Sequence, residues 1–448
     1  MNKTLFTEKL LDRAIKAGFA AAEVYTSSGD SFDTMVREGE IISYEVSNSF
    51  GLGFRGLING KMGYASTQVL DEDAIDQLIQ GAKANLSMIE SDDEQFIFKG
   101  SDAYPQLETF DGAQGVSASA KIEAAMRLEK LATSISPTVK RLSDCGVFTS
   151  RGYTSIVNTM GLDIQRRYGH AGLYLSPIAE DGRNVNSIMK FQLENDFSTL
   201  DVESLAREAV SEADSGLRAS PIPSGSYSVA FRNDAAAALL GVFAQAFSAD
   251  AAQKGLSLLY GREGEMIASK AVSIVDDPLL PGARASRTFD GEGVATRRKA
   301  LVEKGMLNTL MHNLKTAKKQ SVETTANASR GYNTTVGISA SNLFIEPGNN
   351  AAREIYLSQG NGVLITELQG LHSGANSVTG DFSLAAKGFI IENGEIGSAV
   401  NGITVAGNFF SLLGNIEMVG DDIWFGLPSA SCVGSPTILA GKMSLGGR

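Results

Sequence analysis

At 448 residues the chain exceeds the size at which one hydrophobic core keeps growing, so two or three domains are expected. A composition of 43% hydrophobic and 20% charged residues with a net charge of -12 describes a globular protein and argues against a nucleic-acid-binding surface, which needs clustered Lys and Arg. No run approaches about 18 apolar residues, and Met1 to Lys9 mixes acids and bases where a signal peptide needs an apolar stretch, so a cytoplasmic protein without a membrane span is expected.

The apolar spacing of Phe6, Leu10, Leu11, Ala14 and Ile15 predicts a helix over Thr4 to Lys16, stopped by Gly18. Short strands follow at Ala22 to Thr26, Ser31 to Arg37, Ile41 to Val46, Gly51 to Ile58 and Lys61 to Ser66. Asn59-Gly60 between the last two is a type I′ hairpin signal. A helix over Asp71 to Ser87 closes this module, and the polar stretch Ser91 to Gln114, headed by Ser91-Asp92-Asp93-Glu94, marks a boundary. The next unit pairs helices over Ala118 to Ile135 and Val202 to Ser215 with strand-like runs at Tyr153 to Asn158, Leu162 to Tyr168, Gly172 to Ser176 and Ser187 to Gln192.

Pro221-Ile222-Pro223-Ser224-Gly225 reads as a linker. Beyond it come a strand at Tyr227 to Phe231, a long Ala-rich buried helix from Asn233-Asp234 to about Lys254, and then Gly-rich turns between short apolar runs. The fold class is therefore α+β: an N-terminal helix/antiparallel-sheet domain over 1–222, with sub-regions at about 1–95 and 112–222, followed by a mostly β domain over 223–448 that opens on a buried helix.

Gly51-Leu52-Gly53-Phe54-Arg55-Gly56 matches G-x-G-x-x-G, but that fingerprint holds a pyrophosphate only where it opens a helix, and here it opens a hairpin. Walker A, G-x-S-x-G and H-E-x-x-H sequences are absent. The three histidines, His170, His312 and His372, lie in separate segments, whereas zinc catalysis usually needs three ligands and an open position. His372 sits in the loop-like Leu371 to Asn376, before Gly380-Asp381-Phe382-Ser383, a stretch able to present backbone amides to a ligand or simply to turn the chain. Asp276, Asp277, Asp290 and Glu292 are candidates for a carboxylate pair. The basic runs Arg297-Arg298-Lys299 and Lys315, Lys318, Lys319 read as solvated faces, and Cys145 and Cys432 are too far apart in sequence to form a disulfide framework.

Ala22-Glu23-Val24-Tyr25, the glycine motif at Gly51 to Gly56, His372 to Ser383, Gly388 to Glu395 and Ile403 to Asn408 together resemble the TldD/PmbA family, once labelled modulators of DNA gyrase, along nearly the whole chain. The resemblance implies a peptidase family whose TldD branch carries zinc on H-E-x-x-x-H. A gap-free count from Gly264-Glu265 puts Leu240, Gly241 and Gln245 at those positions, none able to serve, so no catalytic residue and no bound zinc are expected in this chain. Cys432 lies near a cysteine ligand of that branch but does not fit its spacing. The resemblance thus implies the PmbA (TldE) branch: a subunit lacking the zinc site, partnered by a TldD-like catalytic subunit that holds the zinc, acting on extended or unfolded peptides, with a homodimer as the lesser assembly. It also implies a substrate-channel loop at His372, Asn376, Gly380 and Asp381. The rivals are an autonomous hydrolase sited near His372 and Asp381, with Cys432, and a non-enzymatic binding or regulatory protein.

Overall fold

The computed structural model describes residues 1–86, 95–110, 112–429 and 431–448. Its N-terminal half is a helix-backed antiparallel sheet. Helix α1 (Lys3–Lys16) leads into β1 (Ala21–Arg37), β2 (Glu40–Ile58) and β3 (Lys61–Thr67), then α2 (Glu72–Leu86), α3 (Ala118–Ile135), β4 (Val139–Asn158), β5 (Asp163–Glu180), β6 (Val185–Ser187), β7 (Lys190–Glu194) and α4 (Val202–Ser215). The strand order is β3-β2-β1-β4-β5-β6, with β7 also on β5. Helices α1 and α2 cover β1 and β2 through Phe6, Leu10, Ile75 and Leu78, while α3 and α4 cover β4 and β5 through Leu128, Leu205 and Val210.

The helices fall where periodicity places them, within a residue at each described end; Ser87 and Ser91 to Glu94 lie outside the described residues. Strand lengths differ. The runs expected as separate strands merge: Ala22 to Thr26 and Ser31 to Arg37 are one strand, as are Ile41 to Val46 and Gly51 to Ile58. The three runs from Tyr153 to Ser176 are parts of β4 and β5. Ser27 to Asp30 carries a turn composition yet stays extended because it is paired on both sides, Gly29 facing Ser49 on β2 and Gly152 on β4. Pairing in the sheet overrides a local turn preference. The Asn59-Gly60 hairpin forms as expected, with φ of 50° and 77°.

The C-terminal half contains β8 (Gly225–Phe231), α5 (Asn233–Phe243), α6 (Ala249–Gln253), β9 (Ile274–Asp276), β10 (Lys299–Glu303), β11 (Met306–Leu307), α7 (Leu314–Gln320), β12 (Ala328–Ser329), β13 (Gly337–Ile338) and β14 (Asn342–Ile345). It continues with α8 (Ala352–Gln359), β15 (Gly362–Gln369), β16 (Asp381–Glu392), β17 (Glu395–Asn408), α9 (Phe409–Asn415), β18 (Met418–Val419), β19 (Trp424–Phe425), β20 (Cys432–Ser435) and β21 (Ile438–Gly446). One sheet runs β11-β10-β9-β14-β20-β19 and another β17-β16-β15-β8-β21-β18; β17 also pairs with β21, closing five strands into a ring. Strands β12 and β13 form a separate ribbon. The α+β class holds.

The single helix expected from Asn233 to Lys254 is broken. After α5 the chain tightens into a 3-10 turn over Ala244–Phe247, and Ser248 is extended, its hydroxyl accepting from Ala251 N. The break is fixed from outside: Met311 N donates to Phe247 O at 2.7 Å and Ala249 N to Met311 O at 2.9 Å. These bonds replace helical ones that the Ala-rich sequence alone would form.

Candidate functional site

The N-terminal sheet is buried on both faces at its centre, which explains the unbroken burial of Ala21 to Thr26. Alternation along β1 sends Ala22 and Val24 to α1 and α2 and turns Glu23, Tyr25 and Ser27 toward the C-terminal domain. Arg55 on β2 stands opposite Glu23, and its Nε donates to Glu23 at 2.8 Å; both side chains are fully buried. Arg330 of the C-terminal domain donates to the same carboxylate, and Glu292 lies 3.6 Å from Arg55. Burial alone would raise the Glu23 carboxyl, but Arg55 and Arg330 beside it bring it below its ordinary value.

The glycine motif belongs to this seam. A Cβ on Gly51 would stand 2.3 Å from the Tyr332 ring, one on Gly53 2.1 Å from Tyr332 O, and one on Gly56 2.4 Å from the Phe19 ring. The motif lies within a strand and admits one aromatic residue from each side; it does not open a helix.

Beside the seam is a cleft of about 540 Å³ between the two halves. Tyr25, Ser27, Thr154, Arg166 and Tyr168 wall it from the sheet. Gln245, Arg287, Phe289, Asp290, Arg330 and the β12–β13 ribbon wall it from the other side. Arg330 stacks over Tyr25, 4.6 Å from the ring centroid, and Arg166 over Tyr168 at 5.4 Å. Asp290 accepts from the backbone N–H groups of Glu292, Val294 and Ala328 at 2.9–3.0 Å. Burial, with Glu292 adding to it, pushes its carboxyl up to about 7.

Of the three positions aligned with a zinc motif, Leu240 is in the core, while Gly241 and Gln245, four residues apart, are exposed, and Gln245 lines the cleft. Leu240 is on α5, whereas Gln245 lies past its end in the 3-10 turn. Cys432 lines a different cleft, with Phe191, Arg284 and Trp424; its Sγ donates to Gly426 O, and burial raises the thiol to about 11. These groups do not fit a zinc centre: they comprise an apolar side chain, a glycine, a neutral amide and a protonated thiol lying elsewhere.

His372 is exposed on the turn after β15, and Asn376 and Asp381 are exposed nearby, while Gly380 is buried under Phe410. Asn376 Oδ1 accepts from Val378 and Thr379 N–H, and Asp381 accepts from Asn408 Nδ2 at 2.9 Å, so these side chains stabilise their own loop. None of the four is among the residues lining the 540 Å³ cleft. His312 is buried and His170 half-buried; burial lowers both below the ordinary histidine value.

The candidate carboxylates divide between two places. Asp276 is a buried acceptor for Lys299, Asn327 and Ser341, and Asp277 flanks it; Asp290 and Glu292 adjoin the cleft and the seam. Lys299 departs from the solvated face expected of its run, since its ammonium is buried against Asp276 at 2.9 Å. Arg166, Arg287 and Arg330 escaped sequence reasoning: they come from three segments, Arg166 within the pair Arg166-Arg167, and only the adjacent Ala22-Glu23 and Arg55 motifs hint at the seam.

Family models for PmbA/TldA metallopeptidases match domain 1 at residues 22–86, the central domain at 112–217 and the C-terminal domain at 224–447. Over 98% of its length the chain is 28% identical to 94% of the metalloprotease PmbA homolog of Haemophilus influenzae. It is 27% identical to metalloprotease PmbA of Escherichia coli O157:H7, covering 93% of this chain and 92% of that one. Among solved structures, a candidate modulator of a DNA gyrase from Thermotoga maritima superposes with a TM-score of 0.91 at 33% identity, covering 99% of this chain and 100% of that one. TldE from Thermococcus kodakarensis shares the fold at a TM-score of 0.89 and 23% identity, covering 99% and 100%.

Proposed function

This chain belongs to the PmbA/TldD metallopeptidase family, and from that premise we propose that it is the TldE-like subunit of a TldD/PmbA-type peptidase, enclosing an extended or unfolded peptide and binding no zinc itself. A cytoplasmic TldD-like subunit supplies the zinc and the hydrolysis. The observation that carries this reading is the end of α5: Leu240 is packed in the core, Gly241 has no side chain and Gln245 offers only a neutral amide to the cleft. A peptide entering that cleft meets the β12–β13 ribbon; Gly291 and Asp290 already occupy the outer edge of β12 at Ala328, which leaves the outer edge of β13 for extended backbone to pair with.

The test is zinc content per chain by elemental mass spectrometry, on protein purified without a His tag or added metal. A ratio near zero is expected, and a ratio near one would overturn the reading. Native mass spectrometry with and without a TldD-like subunit then separates the heterodimer from a homodimer; a homodimer that persists with the subunit present would overturn the pairing.

A further inference from the structure

We infer that Arg166, Arg287 and Arg330 form a carboxylate-binding site in the cleft between the two halves, taking the C-terminal end of a peptide; the inference deepens the proposed function and rests on it. Arg166 comes from β5 of the sheet, Arg287 and Arg330 from loops of the C-terminal domain, and all three line one cavity. The Nε of each is buried and has no hydrogen-bond partner. Buried polar atoms are paired in about nine cases of ten, so three such orphans on one cavity indicate a local shortage of acceptors.

The acceptors at hand are already engaged. Arg287 donates to Ala340 O at 2.6 Å, and Arg330 donates to Glu23, which also serves Arg55. Asp290, the one carboxylate among the cleft's lining residues, is occupied by three backbone N–H groups. Arg166 lies near enough to Arg287 that it adds to burial in lowering the Arg287 guanidinium below its ordinary value. Like charges held together in a buried place call for an anion between them.

A carboxylate supplies two oxygens with about four lone-pair sites, matched to the planar five-donor fork of arginine. The rings of Tyr25, Tyr168 and Phe289 around the forks, and the ribbon edge beside them, suit the end of a peptide chain better than a free inorganic anion.

The experiment is isothermal titration calorimetry on the full-length chain with an N-acetylated hexapeptide of neutral side chains, as free acid and as C-terminal amide, and with inorganic phosphate. The free acid should bind about tenfold or more tightly than the amide, and Arg166→Gln, at a half-buried position able to tolerate change, should erase that difference. Arg287→Lys, which keeps the charge but loses the fork, should reduce the difference in part. Equal binding of acid and amide would overturn the carboxylate site and leave the peptide cleft standing. If neither peptide bound, both would be overturned. Phosphate that binds as tightly as the free acid and displaces it would replace a peptide terminus with a free anion as the ligand, overturning the assignment.

Discussion

Asp290 holds its proton when folded at pH values where an unfolded aspartate has released it, since burial pushes its carboxyl from 3.8 up to about 7. Its contribution to stability is therefore fully present below about pH 3.8 and is lost as the pH rises through 7. Asp290→Asn should flatten the slope of unfolding free energy between pH 4 and 7 in urea titrations; an unchanged slope would mean that Asp290 is ionised throughout. Glu23 works in the opposite sense: its carboxyl is held low, so its stabilisation is present above the ordinary glutamate value and is lost as pH falls. At this scale the sequence showed which residues stand beside one another along the chain, and Glu23 and Arg55 were both inside motifs. Their meeting, and that of Arg330 with Glu23 across 307 positions, depends on strand register and domain docking, which no local pattern encodes.

Among elements, α5 shows how far periodicity reaches. The apolar run identified a buried helix correctly, but the chain beyond its end at Phe243 is held by backbone bonds that tie Phe247 and Ala249 to Met311, far along the chain. The strands show the converse, extended through turn-like stretches because both neighbours pair with them. The same geometry bears on restoring a zinc motif. The triple substitution Leu240→His, Gly241→Glu and Gln245→His would bury an imidazole in the core at 240 and place the other in the 3-10 turn beyond the helix, facing the cleft. We expect a loss of about 2–5 kcal/mol from the core change and no peptidase activity, because the remaining ligand and its supporting hydrogen bonds are missing. Thermal unfolding and a peptidase assay against a wild-type blank check both; robust activity would refute the account of the site.

At the level of the whole molecule, the two halves are joined by a buried ionic seam and by Tyr332 seated over Gly51 and Gly53. Replacing one member of a buried pair leaves its partner charged and unsolvated, at a cost of about 3–5 kcal/mol. Glu23→Gln should lower stability by that order, and it should split a single calorimetric transition into two as the sheet and the C-terminal domain lose their coupling. One intact transition at the wild-type temperature would show the seam to be incidental. The α+β class and the helices were legible because they follow from composition and spacing; the closed five-strand ring was not, since β8 pairs with β15 and β21, which come from the far end of the chain.

That seam also sets an order of events during synthesis. The last strand of the N-terminal sheet ends at Glu194, and Arg330 follows it by an interval that a ribosome covers in roughly 7–30 s at about 5–20 residues per second. Through that interval Glu23 has Arg55 and the Asn158 amide beside it but not Arg330, and the groove over Gly51 and Gly53 stands open. The nascent sheet thus waits, with its inner face wet, for an aromatic ring and a guanidinium that have yet to be translated.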